Sequence, residues 1–174
     1  MELRAEARQS VAVPARVTKA ESRVDIEQRR TSRVFVSPEN EELVSKRLKD
    51  AQLRIAEHYK IELSGCEAPQ FLLYKPGDFY KAHRDKSDSP NTPQYIKDRR
   101  LSVVIFLSTE GAEPGGYTGG SLMIYLVPSD EAGRKVEFPL PGKEGQLVAF
   151  PSALKHEVEP VRSGERYSIV SWYF

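Results

Sequence analysis

Tyr74-Lys-Pro-Gly-Asp-Phe-Tyr80-Lys-Ala-His83-Arg-Asp85 reads as the end of one strand, a Pro-Gly-Asp turn and a second strand that carries a His-x-Asp. Residues i and i+2 of a strand project to one side, so His83 and Asp85 are expected to point together and Arg84 away. The chain around this stretch has the same character. From Gly65 onward it reads as strands between turns: Gln70 to Tyr74, Phe79 to Asp85, Leu101 to Leu107, Ser121 to Val127, Lys135 to Phe138, Gln146 to Phe150, His156 to Val161 and Arg166 to Phe174. Pro76-Gly77-Asp78, the polar run Lys86 to Asp98, Gly111 to Gly120, Pro141-Gly142 and Ser163-Gly164 separate them.

One helix precedes the strands. Ser37 is placed to cap it, Pro38 to open it, and Glu39, Glu41 and Glu42 to favour its first turn. Val44, Leu48, Ala51, Ile55 and Tyr59 recur at steps of three or four and form an apolar stripe, which Ser64-Gly65 breaks. Residues 1–33 are charged and weakly patterned. Ser10 to Val17 alternates like a strand, and the Arg-rich segment after it reads as loop or short helix. The expected fold is therefore mainly β with α: a double-stranded β-helix (a cupin-like jelly roll) supported by one long N-terminal helix. Residues 1–65 would form the N-terminal segment and support helix, and 66–174 the jelly-roll core, of one domain. An immunoglobulin-like sandwich is the competing all-β reading, but the chain lacks its Cys pair.

Composition narrows the function classes. At 174 residues the chain is long enough to bury a core and too short for two comfortable domains. Lys and Arg total 26 against 25 Asp and Glu, so no global field argues for nucleic acid or an anionic membrane as partner. The lone Cys66 excludes an internal disulfide and a cysteine-based zinc site, and suits a reducing compartment. No apolar run approaches the roughly 18 residues of a membrane helix, and the charged N-terminus lacks a signal-peptide core. A cytoplasmic location is the expectation.

His-x-Asp alone arises by chance in many chains of this size. It gains weight from His156 on a later strand, because only three histidines are present and His58 is the one left over. Two imidazoles and a carboxylate leave three sites of an octahedron open, the set found in non-haem Fe(II) oxygenases. Such iron needs electrons to activate O2, and a 2-oxo acid supplies them. The far carboxylate of 2-oxoglutarate then needs a forked cation, which Arg provides better than Lys. Arg166 opens the last strand, and Ser168 on the same side could add a hydroxyl.

These residues resemble the catalytic domain of the prolyl 4-hydroxylases, within the 2-oxoglutarate and Fe(II)-dependent dioxygenases. The resemblance runs from about Gln70 to Phe174. Besides the opening stretch it rests on Arg99-Arg-Leu-Ser-Val-Val-Ile-Phe-Leu107, Gly119-Gly120-Ser-Leu122 and Gly145-Gln-Leu-Val-Ala-Phe150. His156-Glu-Val-Glu-Pro160 and Arg166-Tyr-Ser-Ile-Val-Ser-Trp172-Tyr-Phe174 complete it. It implies His83, Asp85 and His156 as iron ligands, and Arg166 on the distal carboxylate of 2-oxoglutarate with Tyr74 assisting. Tyr80, Arg100 and Trp172 match positions facing a peptide substrate. The implied reaction consumes Fe(II)-activated O2 and 2-oxoglutarate, with ascorbate as a supporting reductant. It hydroxylates a peptidyl proline and releases succinate and CO2. A free amino acid or other small molecule is the alternative substrate, and a non-catalytic cupin-like binding protein the alternative of another class. Phe106 stands where some relatives carry a second hydroxyl for the co-substrate, so that role falls to Tyr74 or Ser168. Ser121 stands where an acidic residue is frequent.

Overall fold

The computed structural model describes residues 2–15, 17–18, 22–23, 25–126 and 136–174. A short helix α1 (Glu2–Gln9) leads into β1 (Ala12–Pro14), β2 (Val17–Thr18), β3 (Ser22–Arg23), β4 (Arg29–Arg30) and β5 (Ser32–Val34). The long helix α2 (Pro38–Tyr59) follows, then β6 (Gln70–Tyr74), β7 (Phe79–His83) and the single turn α3 (Gln94–Lys97). The rest is β8 (Leu101–Phe106), β9 (Tyr117–Gly119), β10 (Leu122–Leu126), β11 (Val136–Leu140), β12 (Leu147–Pro151), β13 (Lys155–Val158), β14 (Val161–Gly164) and β15 (Arg166–Tyr173). Val127 and Lys135, ends of two expected strands, lie outside the described residues, as does Arg16 within the expected Ser10 to Val17 strand.

Two antiparallel sheets hold most of these strands. One has the order β1-β5-β6-β15-β8-β12, the other β11-β10-β13-β7-β4. Alternation explains how the central strands serve two masters. On β6, β8 and β15, Phe71, Leu73, Leu101, Val103, Tyr167, Ile169 and Tyr173 face α2 and pack with its Val44 and Leu48. The residues between them, Leu72, Tyr74, Val104 and Phe106, face the second sheet and meet Val158, Leu122 and Ile124. The layering is consistent with the jelly roll read from the sequence.

Helix α2 begins as its residues dictate. Ser37 accepts a hydrogen bond from the Asn40 amide at 3.3 Å, and Pro38 fills the first turn. It ends at Lys60, in the left-handed region at φ 54°, five residues before Gly65. Tyr59 Oη donates to the Ala149 carbonyl and Tyr173 Oη to that of Leu48, each at 2.6 Å, so polar anchors fix the helix to the sheet. This helix is not the first element. Within the Arg-rich segment before it, Arg29–Arg30 and Ser32–Val34 are strands rather than loop or helix, and β5 and β4 join the two sheets by pairing with β6 and β7. No described helix is long and apolar enough to cross a membrane.

Candidate metal centre and its cavity

Strand pairing brings the two histidines together. His156 on β13 sits opposite His83 on β7, with ring centroids 4.2 Å apart. Asp85 joins them from beyond the end of β7, not from within a strand as its spacing suggests. Its convergence with His83 has a different cause from alternation: the Asp85 and Lys86 amides both donate to the Ser152 carbonyl at 3.0 Å and turn the chain inward. His83 Nε2 lies 3.4 Å from Asp85 Oδ1, and His156 Nε2 lies 3.4 Å from Asp85 Oδ2. Among the described residues this is the one group of three such side chains whose ligand atoms all fall within 4.8 Å of one another.

The surrounding bonds select the metal-facing atoms. His83 Nδ1 is 2.8 Å from the Lys81 carbonyl and His156 Nδ1 is 2.9 Å from that of Leu154. A ring whose Nδ1–H donates to a carbonyl leaves its Nε2 lone pair for a metal. Ser102 Oγ donates to Asp85 Oδ2 at 2.6 Å and so orients the carboxylate. Burial holds the His83 pKa below the usual imidazole range despite Asp85. It works in the same direction on His156, but there the Asp85 charge and hydrogen bond outweigh it and the pKa is raised. Burial alone would raise the pKa of Asp85. The charges and hydrogen bonds of the two histidines prevail and hold its carboxyl well below the usual carboxylate range.

The three side chains line a cavity of about 410 Å³ between the sheets. Arg166, Ser168, Val170 and Trp172 line it together because alternation puts them on one face of β15. Arg166 is 1% exposed, and Tyr74 is its register partner on β6. Its guanidinium lies 5.0 Å from the Tyr74 ring centroid and 5.2 Å from that of Phe106. Nη1 donates to Ser168 Oγ at 2.9 Å, while Nε has no partner. No carboxylate pairs with Arg166 among the described residues. A buried guanidinium left in this state is costly unless an anion arrives to meet it. Two imidazoles and a carboxylate suit Fe(II), and a buried fork suits a carboxylate, so the residues present fit both groups.

Tyr80 stacks on His83, with centroids 3.5 Å apart and planes at 16°, and burial pushes its hydroxyl pKa upward. Trp172 is buried against the cavity. Arg100 is not part of this site. Its side chain is exposed and lines a separate neighbouring groove, beside Leu53, Lys60 and Phe174. Arg99 turns into the cavity instead, with its guanidinium 3.7 Å from the Trp172 ring centroid. Arg99, Ser102 and Tyr117 were not singled out from the sequence. Tyr117 is buried behind Arg166, and both crowd Gly120: a Cβ there would lie 3.2 Å from Arg166 Cδ and 3.4 Å from Tyr117 Cε2. Gly120 also has a φ of +69°, so glycine is required for space and for backbone conformation. The Gly119-Gly120 pair was the signal that something packs closely at that turn.

Comparisons with known proteins agree with this geometry. Residues 69–174 match the family model of the 2OG-Fe(II) oxygenase superfamily. A PKHD-type hydroxylase from Sphingopyxis alaskensis is 33% identical over 129 residues, which are 74% of this chain and 54% of that protein. The chain thus spans about half the length of that relative, and 36% of a PKHD-type hydroxylase from Synechococcus to which it is 42% identical. Among solved structures, a prolyl-4-hydroxylase from Pseudomonas putida superposes with a TM-score of 0.72 at 27% identity, covering 99% of this chain and 83% of that one.

Proposed function

The chain belongs to the 2OG-Fe(II) oxygenase superfamily, and on that premise we propose that it hydroxylates a peptidyl proline. His83, Asp85 and His156 would hold Fe(II), and Arg166 with Ser168 and Tyr74 would hold the far carboxylate of 2-oxoglutarate. Bound there, the metal with its co-substrate and O2 supplies the oxidising chemistry that inserts oxygen into an unactivated C–H bond, with succinate and CO2 as co-products. The observation that carries this reading is the pairing, in one cavity, of a His-Asp-His cluster with a buried arginine that has no carboxylate partner among the described residues.

The chain's own residues supply position and electrostatics. Lys81 and Leu154 carbonyls fix the imidazole tautomers, and Ser102 fixes the carboxylate. Ser168 accepts from Arg166 and thereby aims the guanidinium into the cavity. Tyr80 and Trp172 wall the side open to a substrate, and the polar residues Ser87, Ser89, Asn91 and Thr92 border it. That loop suits a mobile cover over an extended chain. The proline assignment is supported by the kinship with prolyl hydroxylases reported above. We place the chain in the cytoplasm as one domain, with residues 1–65 supporting the core of 66–174, and ascorbate as its supporting reductant.

The test is succinate release with Fe(II), 2-oxoglutarate, ascorbate and air, with and without proline-containing peptides and free amino acids. Peptide-stimulated release with hydroxyproline found by mass spectrometry is the expected result. Stimulation by free amino acids alone would move the enzyme to small-molecule chemistry. Silence under all conditions, including no slow substrate-free turnover, would leave a cupin-like binding protein.

A further inference from the structure

Of the three candidate ligands, two owe their place to the sheet. His83 and His156 face each other in a ladder, whose hydrogen bonds fix their backbones. Asp85 lies past the ladder, so something else must fix its φ and ψ. Its amide is tied to the Ser152 carbonyl at 3.0 Å. Its own carbonyl accepts from Arg99 Nη1 at 3.2 Å.

Arg99 is in turn held on its other edge and on its face. Nε and Nη2 donate to the two oxygens of Glu67 at 2.5 and 2.8 Å, the parallel fork that gives an arginine pair its geometric specificity. The guanidinium carbon lies 3.7 Å from the centroid of the Trp172 ring. Arg99 is only 8% exposed. A partly buried ion pair of this kind is a poor route to stability, since exposed pairs contribute little and apolar residues often serve as well as buried ones. Its geometry, by contrast, is highly specified, and each of the three guanidinium nitrogens donates a hydrogen bond.

Resting on the metal reading of the cavity, we infer that Arg99, gripped by Glu67, is a positioning residue of the metal centre. It holds the Asp85 backbone so that the carboxylate sits between the two imidazoles. Through its stack with Trp172 it ties that ligand to the wall a substrate meets. Lysine cannot replace it, because a point charge cannot bond both Glu67 oxygens and the Asp85 carbonyl while lying flat on an indole.

Mn(II) titration of the metal-free protein, followed by electron paramagnetic resonance, tests this without turnover. R99Q and E67Q are each expected to weaken Mn(II) binding roughly 10- to 100-fold, the range for outer partners of metal ligands. R99K should recover little, and the E67Q/R99Q double variant should bind no more weakly than R99Q, because the two act as one unit. L48A controls for stability: it empties a fully buried core site and should lower Tm while leaving Mn(II) affinity unchanged. Wild-type affinity in folded R99Q, or losses that simply add in the double variant, would overturn the proposal. Should R99Q not fold, the near-isosteric E67Q decides alone by the same criterion. D85A separates the two levels of argument: if it binds Mn(II) as tightly as the wild type, the metal reading itself falls, and the role of Arg99 with it.

Discussion

The two ends of the cavity are incomplete in opposite senses. Around His83, Asp85 and His156, electron-pair donors crowd to 3.4 Å of one another, both Nδ1 atoms are hydrogen-bonded to carbonyls, and Ser102 donates to the carboxylate. Around Arg166 there is a buried cation, the rings of Tyr74 and Phe106 with Tyr117 behind, one serine hydroxyl, and an Nε with no partner among the described residues. Neither arrangement is favourable alone, because buried charge that is not compensated costs several kcal/mol. Asp85 and Arg166 could have cancelled each other, and the fold keeps them apart. A site that binds a metal at one end and the far carboxylate of its chelator at the other has this distribution of charge.

The comparison can be broken most directly at Asp85. Asp85→Ala removes the sole carboxylate of the cluster and leaves the histidines in place. Metal affinity and turnover should fall together, by more than the roughly 10- to 100-fold that loss of an outer partner produces. Mn(II) titration beside succinate release measures both. At the other end, Arg166→Met should raise the 2-oxoglutarate KM roughly 100-fold, about 3 kcal/mol for one partner of a desolvated charge pair. Metal binding should be unaffected. Activity lost equally at all 2-oxoglutarate concentrations would mean that Arg166 does not act on the co-substrate.

Much of this contrast is legible in the sequence. Period-two alternation placed Arg166 and Ser168 on one face, and the same rule carries Val170 and Trp172 with them. It failed where strands stop. Asp85 lies beyond β7, and its convergence with His83 is set by Ser152, a residue far along the chain. The exchange of Arg100 for Arg99 has another cause. Arg100 was expected only from the resemblance; β8 begins at Leu101, and the fork to Glu67 holds Arg99 at the cavity instead. Beside Phe106, Ser168 accepts from the Arg166 guanidinium and the Tyr74 ring lies 5.0 Å from it. Helix α1 was invisible for another reason. Its eight residues lack a long apolar period and are held by tertiary contacts, Ala7 in the core and Glu6 accepting from the Ser37 amide and Asn40.

Protons sharpen the ligand end further. A histidine must be neutral to bind a metal, so metal and proton compete. The His156 pKa is raised above 6.5, whereas His83 is held below it and Asp85 is ionised throughout this range. Mn(II) affinity should therefore be flat at alkaline pH and begin to fall above pH 6.5. It should then lose about tenfold per pH unit, the slope for release of one proton. A slope of two from the outset would mean that both histidines titrate together and that Asp85 does not distinguish them.

Ser102→Ala is the mildest perturbation and the most discriminating. Ser102 Oγ donates to Asp85 Oδ2 at 2.6 Å and also meets Ser152 Oγ at 3.1 Å. Its loss leaves all three ligands, the Arg99 bond to the Asp85 backbone and the Arg166 pocket intact. The carboxylate loses one orienting bond, so metal affinity should drop about tenfold, the lower end of the range for such partners. With metal saturating, the 2-oxoglutarate KM should match the wild type, because nothing within bonding distance of Arg166 has changed. A KM that rises in step with the metal requirement would show the two ends to be one coupled network, and their opposite charge states would then have to be explained together.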